Sequence, residues 1–373
     1  MDEVVAPILG RRIVGIVIVL GLVALGPGAL AGTAADSPQA APARHASEEA
    51  PAVGTPAARS RPRVGLALSG GGARGLAHVG VLRVLEQLHV PVDCIAGTSM
   101  GSVVGGLYAS GLSPGQIEAA MKRVDWGDLF NDQPPRADLS YRRKQDDSSD
   151  FVDFELGLKE GRVVLPRGLI AGQKIGFLLQ TLTLRTAGID DFDRLPVPFR
   201  AVATDLGDGG MVVLSHGDLA EALRASMSLP GTLAPVEIDG HLLVDGALVR
   251  NLPVDVVRGM GADIVIAVDV STPLDPAESI KTVADVTRQV SGMLTRENMG
   301  SESVGADLLI RPDLSTISST GFARSGIAVT RGEEAARAQA DALRRYAVTD
   351  DEFTAHLAQM RGAPTPAPIR IDA

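Results

Sequence analysis

The stretch Leu66 to Gly80, "LALSGGGARGLAHVG", decides how this chain is read. It passes from an apolar run through a glycine loop into a segment with helical spacing, and Gly70, Gly72 and Gly75 fit the pattern G-x-G-x-x-G. Successive backbone N–H groups at a helix N-terminus form a positive concavity, so the loop by itself predicts only a bound negative charge. That charge is the pyrophosphate of a dinucleotide or the oxyanion of an acyl-transfer intermediate; a structural tight turn with no ligand is the third reading.

The next strand separates these readings. A dinucleotide site needs an acidic residue about 20 residues on, at the end of the following strand. Asp93 has nearly that separation but precedes the apolar run "CIAGTS", which puts it at the opposite end of the sheet. A phosphate loop of the G-x-x-x-x-G-K-[ST] type would have Lys where Leu76 stands. The second run ends instead in "GTSMG", Gly97 to Gly101, a G-x-S-x-G in which the glycines make room for a sharp strand-to-helix turn with Ser99 exposed at its apex. With the strands at Val64 and Cys94 as parallel neighbours, both turns lie on one edge. An oxyanion formed at Ser99 then sits beside the amides of Gly70, Gly71, Gly72 and Ala73.

The rest of the chain frames these turns. From Val64 onward, continuous apolar runs such as "FRAVATDL" and "DIVIAVDV" alternate with helix-like segments, which predicts a three-layer α/β/α sandwich around a mainly parallel sheet. A net charge of −10 argues against a nucleic-acid partner, and 3% aromatic content against stacking platforms or an aromatic cage. The single cysteine, Cys94, excludes an intramolecular disulfide, and no Cys/His cluster has zinc spacing, so neither a metal nor another cofactor is implied.

At the N-terminus Arg11 and Arg12 precede an apolar run from Ile13, a Gly26-Pro27 break and an Ala29-Leu30-Ala31 cleavage pattern. Residues 1–31 are expected to be a signal peptide, with an uncleaved membrane anchor as the alternative, which implies an exported protein: periplasmic, outer-membrane or extracellular. Residues 32–61 are an Ala/Pro-rich stretch expected to be a disordered linker. The hydrolytic domain is expected over 62–348 and a C-terminal extension or linker over 349–373, with Asp125 to Asp150 as a flexible polar insertion.

A serine nucleophile needs a base. His216, His241 and His356 are the histidines after Ser99, and Asp245 follows three apolar residues in "LLVDGALVRNLP". His241 and Asp245 stand at opposite ends of one short strand, about 13 Å apart, so only one of them can serve Ser99.

These motifs together resemble the patatin-like phospholipases, bacterial branch. Gly70 to Gly75 resembles the family's oxyanion loop, Gly97-Thr98-Ser99-Met100-Gly101 its nucleophile elbow, Asp245-Gly246-Ala247 its D-G-[AG] motif, and "SMSLPGTLAPV" (Ser226 to Val236) a bacterial segment. The resemblance covers about Val64 to Tyr346. It implies Ser99 as nucleophile, Asp245 as base without a histidine, a patatin-like fold, a phospholipid or lysophospholipid substrate and peripheral membrane contact. Gly97 and Gly101 shape the elbow and Gly246 the turn after the base, while Arg74 serves either substrate or loop. His78 is expected to pack, Asp205 to shape a turn or the site's edge, and Arg142, Arg143 and Lys144 to offer a basic membrane patch. "PAPIRIDA" resembles the start of a linker that leads to an outer-membrane β-barrel in some bacterial relatives. A small-ester or thioester hydrolase and a non-catalytic lipid-binding module are the competing readings.

Overall fold

Two apolar runs explain the centre of the fold. β1 (Val64–Leu68) and β2 (Cys94–Thr98) carry no charged residue and are buried along their whole length, as strands of a sheet covered on both faces must be. The computed structural model describes residues 61–131, 141, 157–159, 162–164, 170–271, 274, 276–282, 285–286, 289–290, 292–295 and 302–362. All fall in one compact unit, Ala58–Ala373. The expected signal segment, nearly all of the linker, the basic run at Arg142 to Lys144 and "PAPIRIDA" lie outside the described residues.

The main sheet has the order β10 (Leu308–Ile310), β9 (Ile264–Val268), β1, β2, β5 (Phe199–Asp205), β8 (His241–Asp245), β7 (Val236–Ile238), with β6 (Met211–Leu214) also on β5. β10, β9, β1, β2 and β5 are parallel. β6 and β8 run antiparallel to β5, and β7 antiparallel to β8. β3 (Gly157–Lys159) and β4 (Arg162–Val164) form a separate hairpin ladder. The described helices are α1 (Ala77–Gln87), α2 (Met100–Ala109), α3 (Pro114–Arg123), α4 (Trp126–Leu129), α5 (Gln173–Thr183), α6 (Leu219–Ser226), α7 (Val254–Gly259), α8 (Ser325–Arg337), α9 (Ala340–Leu343) and α10 (Asp350–Arg361).

Alternation along the strands splits the core in two. Leu66, Leu68, Ile95, Ile266 and Val268 pack with α1, α2 and α8. On the other side Ala67, Cys94, Ala96, Val265 and Ala267 pack with Val254 and Val257 of α7. Helices therefore cover both faces, and the three-layer sandwich read from the sequence is the fold. The sheet is mixed at its β6, β8 and β7 end.

The antiparallel direction of β8 positions the site. β2 pairs with Phe199 to Val202 of β5, Thr98 standing opposite Val202. β8 pairs with Ala203 to Asp205, Asp245 standing opposite Ala203. β6 pairs with Ala201 to Thr204, overlapping both, so it holds the other edge of β5. β2 and β8 thus share one edge and run towards each other, their C-terminal ends meeting between Val202 and Ala203. The residue after β2 is Ser99, and the last residue of β8 is Asp245.

Two boundaries differ from the sequence reading. The insertion expected from Asp125 opens with α4, capped by Asp125, whose carboxylate accepts the amides of Gly127 and Asp128. The extension expected from 349 contains α10, which starts with a Thr349/Glu352 capping box and buries Phe353 and Met360 on the domain.

Candidate active site

Ser99 caps α2 with φ 54° and ψ −126°, a region that residues with a side chain rarely occupy. The turn is held from both sides. Its amide donates to Ser226 Oγ at 3.0 Å, and that hydroxyl donates to the Val202 carbonyl at 2.6 Å. Its carbonyl accepts from Ser102 Oγ at 2.6 Å. A Cβ on Gly97 would lie 2.5 Å from the Gly101 carbonyl oxygen, and one on Gly101 would lie 2.4 Å from that of Leu68. The elbow therefore needs both glycines for close approach.

Asp245 is 4% exposed. Its Oδ2 accepts the Ser99 hydroxyl at 2.6 Å and its Oδ1 accepts the Ala247 amide at 2.9 Å. Its own amide donates to the Ser228 carbonyl at 3.0 Å. Burial pushes the carboxyl up to about 6, while the two hydrogen bonds pull the other way. A Cβ on Gly246 would stand 2.3 Å from the Val202 carbonyl oxygen, so the chain can leave β8 here only through glycine.

The glycine loop lies against this pair, with the Cβ position of Gly70 2.9 Å from Ser99 Cβ. Its four amides are not equivalent. Gly70 donates to Asn251 Oδ1 at 3.0 Å, and Ala73, fully buried, donates to the Ser319 carbonyl at 2.7 Å. Gly71 and Gly72 are partly exposed and line the cavity, and among the described residues their amides make no hydrogen bond within the chain. Of the four amides expected to face an oxyanion, those of Gly70 and Ala73 are thus used by the chain itself. Gly72 has φ 57°, and a Cβ there would meet the Ser319 carbonyl at 2.2 Å.

A family model described as patatin-like phospholipase matches residues 66–258, more than half of the chain. The chain belongs to the patatin-like phospholipase family. It is 33% identical over 219 residues to an uncharacterized NTE family protein of Mycobacterium tuberculosis, a match covering 57% of this chain and 50% of that one. It is 36% identical over 212 residues to patatin-like phospholipase domain-containing protein 6 of Homo sapiens, covering 56% of this chain and 13% of that protein. The chain thus spans half or less of the length of these relatives. Among solved structures VipD from Legionella pneumophila aligns at a TM-score of 0.38 and 14% identity, over 76% of this chain and 67% of its own.

In this patatin-like chain Arg74 supports the loop. It is 6% exposed, and its guanidinium donates to the carbonyls of Val270, Ser271, Leu314 and Ile317. Burial lowers its pKa, with Asp269 opposing. It ties the glycine loop to the segments after β9 and β10, and it is not among the cavity's lining residues.

None of the candidate histidines reaches Ser99. His241 Nδ1 bonds Asp205 Oδ2 at 2.6 Å at the far end of β8. The Gly207 amide and His241 lower the Asp205 pKa, and Asp205 raises that of His241. His216 faces Asp239 at 3.7 Å, and His356 lies on α10 beside Phe353. His78 is fully buried with Nε2 donating to the Ser69 carbonyl at 2.8 Å, and burial lowers its pKa to about 4, so it is a neutral packing residue.

Above Ser99 and Asp245 opens a cavity of about 770 Å³, walled by apolar side chains. Trp126, Phe130 and Phe322 share one wall, Trp126 stacking on Phe322 with ring centroids 3.9 Å apart. The only tryptophan thus joins two of eight phenylalanines at the cavity. Sequence reading missed this wall, Asn251 and Ser226. Ser226 opens the "SMSLPG" segment, and Asn251 lies six residues past Asp245, within the stretch "LLVDGALVRNLP".

Proposed function

We propose that this protein is a serine acyl hydrolase of lipids that cleaves carboxyl esters of phospholipids or lysophospholipids. One observation carries the reading. The Ser99 hydroxyl donates to a buried carboxylate, Asp245, at 2.6 Å at the base of an apolar cavity. Asp245 takes the Ser99 proton as Oγ attacks the ester carbonyl. The oxyanion of the tetrahedral intermediate is met by the amides of Gly71 and Gly72, at the positive end of the α1 side of the loop. Asp245 returns the proton to the leaving alcohol, which gives acyl-Ser99 and frees a lysophospholipid from a phospholipid, or the fully deacylated glycerophosphodiester from a lysophospholipid. It then activates a water that releases the fatty acid.

Aspartate has an ordinary pKa of about 3.9 and is a weak base toward a serine. Burial that raises it to about 6 brings its basicity nearer the working pH and supports the role without histidine. The acyl chain fits the apolar wall, and the family's lipid-hydrolase character agrees with that choice of substrate. The leader supports export as a further proposal, tested by sequencing the N-terminus of protein recovered from the cell envelope.

Lipid mass spectrometry after incubation with a phospholipid or lysophospholipid tests the function. Wild-type protein is expected to release free fatty acid, and Ser99→Ala none above background. Cleavage of water-soluble esters without release from either lipid would favour a small-ester or thioester hydrolase instead.

A further inference from the structure

We propose that the helical segment around 285–295 docks on a lipid bilayer through Val286, Val290, Met293 and Leu294. The proposal rests on the lipid-hydrolase reading above. Described helical residues are 285–286, 289–290 and 292–295. The segment opens at Thr282, whose hydroxyl accepts the Asp285 amide at 3.1 Å while the Asp285 carboxylate accepts the Thr282 amide at 2.9 Å, a reciprocal cap. The Val286 amide then donates to the Thr282 carbonyl at 3.0 Å.

At 3.6 residues per turn, Gln289, Gly292 and Thr295 share one face, and Val286, Val290, Met293 and Leu294 share the opposite one. Their surroundings are the reverse of those of a helix packed on a core in water. Gln289, Gly292 and Thr295 line the cavity, and the Thr295 hydroxyl donates to the Ala247 carbonyl at 2.8 Å, two residues from Asp245. The apolar set faces out, at 52%, 50%, 49% and 46% exposure respectively. Apolar side chains scattered singly are normal on a surface, but four on one helix face form a patch that a partner covers.

The place of the patch identifies the partner. One side of the segment touches the cavity over Ser99 and the other meets the surroundings, so what covers the outer face lies where substrate arrives. For an acyl lipid that is the bilayer, whose interface takes up the apolar face of such a helix.

The test uses the full chain in a Ser99→Ala background for binding and in the wild-type background for turnover. Binding is read by co-sedimentation with vesicles of phosphatidylglycerol and phosphatidylethanolamine, and turnover on the same vesicles and on a monomeric short-chain ester. Val286 and Val290 do not line the cavity, so Val286→Glu/Val290→Glu is expected to weaken vesicle binding about tenfold or more and to slow vesicle hydrolysis in proportion. Turnover of the monomeric ester should stay within about twofold. Val290→Trp, which keeps the face apolar, should tighten binding. Vesicle binding without lipid hydrolysis would support docking while ending the substrate reading. Undiminished binding by the double variant, no gain from Val290→Trp, an equal loss on the monomeric ester, or a concentration-dependent dimer that the double variant dissolves would each overturn the proposal.

Discussion

The Ser99 hydroxyl reaches the Asp245 carboxylate at 2.6 Å across a gap of 146 residues in sequence, because β2 and β8 run head to head along one edge of β5. His241 starts β8, so the same geometry places it at the strand's other end, paired with Asp205. Asp245→Ala is expected to lower kcat/KM for an ester by about 10²- to 10⁴-fold, the range for loss of a general base. His241→Ala should leave it within about twofold, as for a surface change. Steady-state kinetics on a short-chain ester checks both.

The raised Asp245 pKa gives a pH dependence with two opposite signs. Asp245 must be ionised to act as the proposed base, so kcat/KM for a neutral ester should rise about tenfold per pH unit up to about 6, where its carboxyl is held by burial, and level off above.

Stability moves the other way. A buried carboxyl whose folded pKa is raised contributes stability that is full below its unfolded value of about 3.9 and is lost as pH rises through the folded value of about 6. Asp245→Asn is therefore expected to be more stable than wild type at pH 8, by up to about 3 kcal/mol for a two-unit shift, with the gap closing below about pH 4. His78, held down to about 4 by burial, acts oppositely in that window but is common to both proteins. Thermal unfolding of the pair at the two pH values measures the gap, and a gap that widens towards acid contradicts the account.

Ser226 is fully buried and accepts the amide of the strained Ser99. Ser226→Ala leaves that amide without its partner, a loss worth about 1–3 kcal/mol. The expected outcome is a fall in kcat of about ten- to a hundredfold with KM little changed. The acid limb of the pH profile should stay in place, because Asp245 keeps its surroundings.

Trp126 stacks on Phe322 at the cavity wall. Trp126→Ala enlarges that wall, so the preferred acyl chain is expected to lengthen, with KM for the original best chain rising about tenfold. Initial rates over a series of acyl lengths check the shift.

Much of this was legible in the sequence because it is local. The runs at Val64 and Cys94, the loop at Gly70 and the elbow at Ser99 are each contiguous, and a parallel β1 and β2 puts both turns on one edge. Which loop amides stay open was not legible, since Asn251 and Ser319 come from remote parts of the chain to occupy those of Gly70 and Ala73. The choice between Asp245 and His241 depended on the direction of β8, which its apolar pattern does not encode. α10 left a local signal, a capping box at Thr349 followed by Phe353, Leu357 and Met360 on one face, but only three apolar anchors in twelve residues made it look like a tail.

The most direct measurement of the central claim is intact-protein and peptide mass spectrometry after reaction with a fluorophosphonate. The account predicts a single adduct, on Ser99, formed much more slowly in Asp245→Asn and at an unchanged rate in His241→Ala. No adduct on folded wild-type protein, an adduct on another residue, or a rate that depends on His241 rather than Asp245 would contradict it.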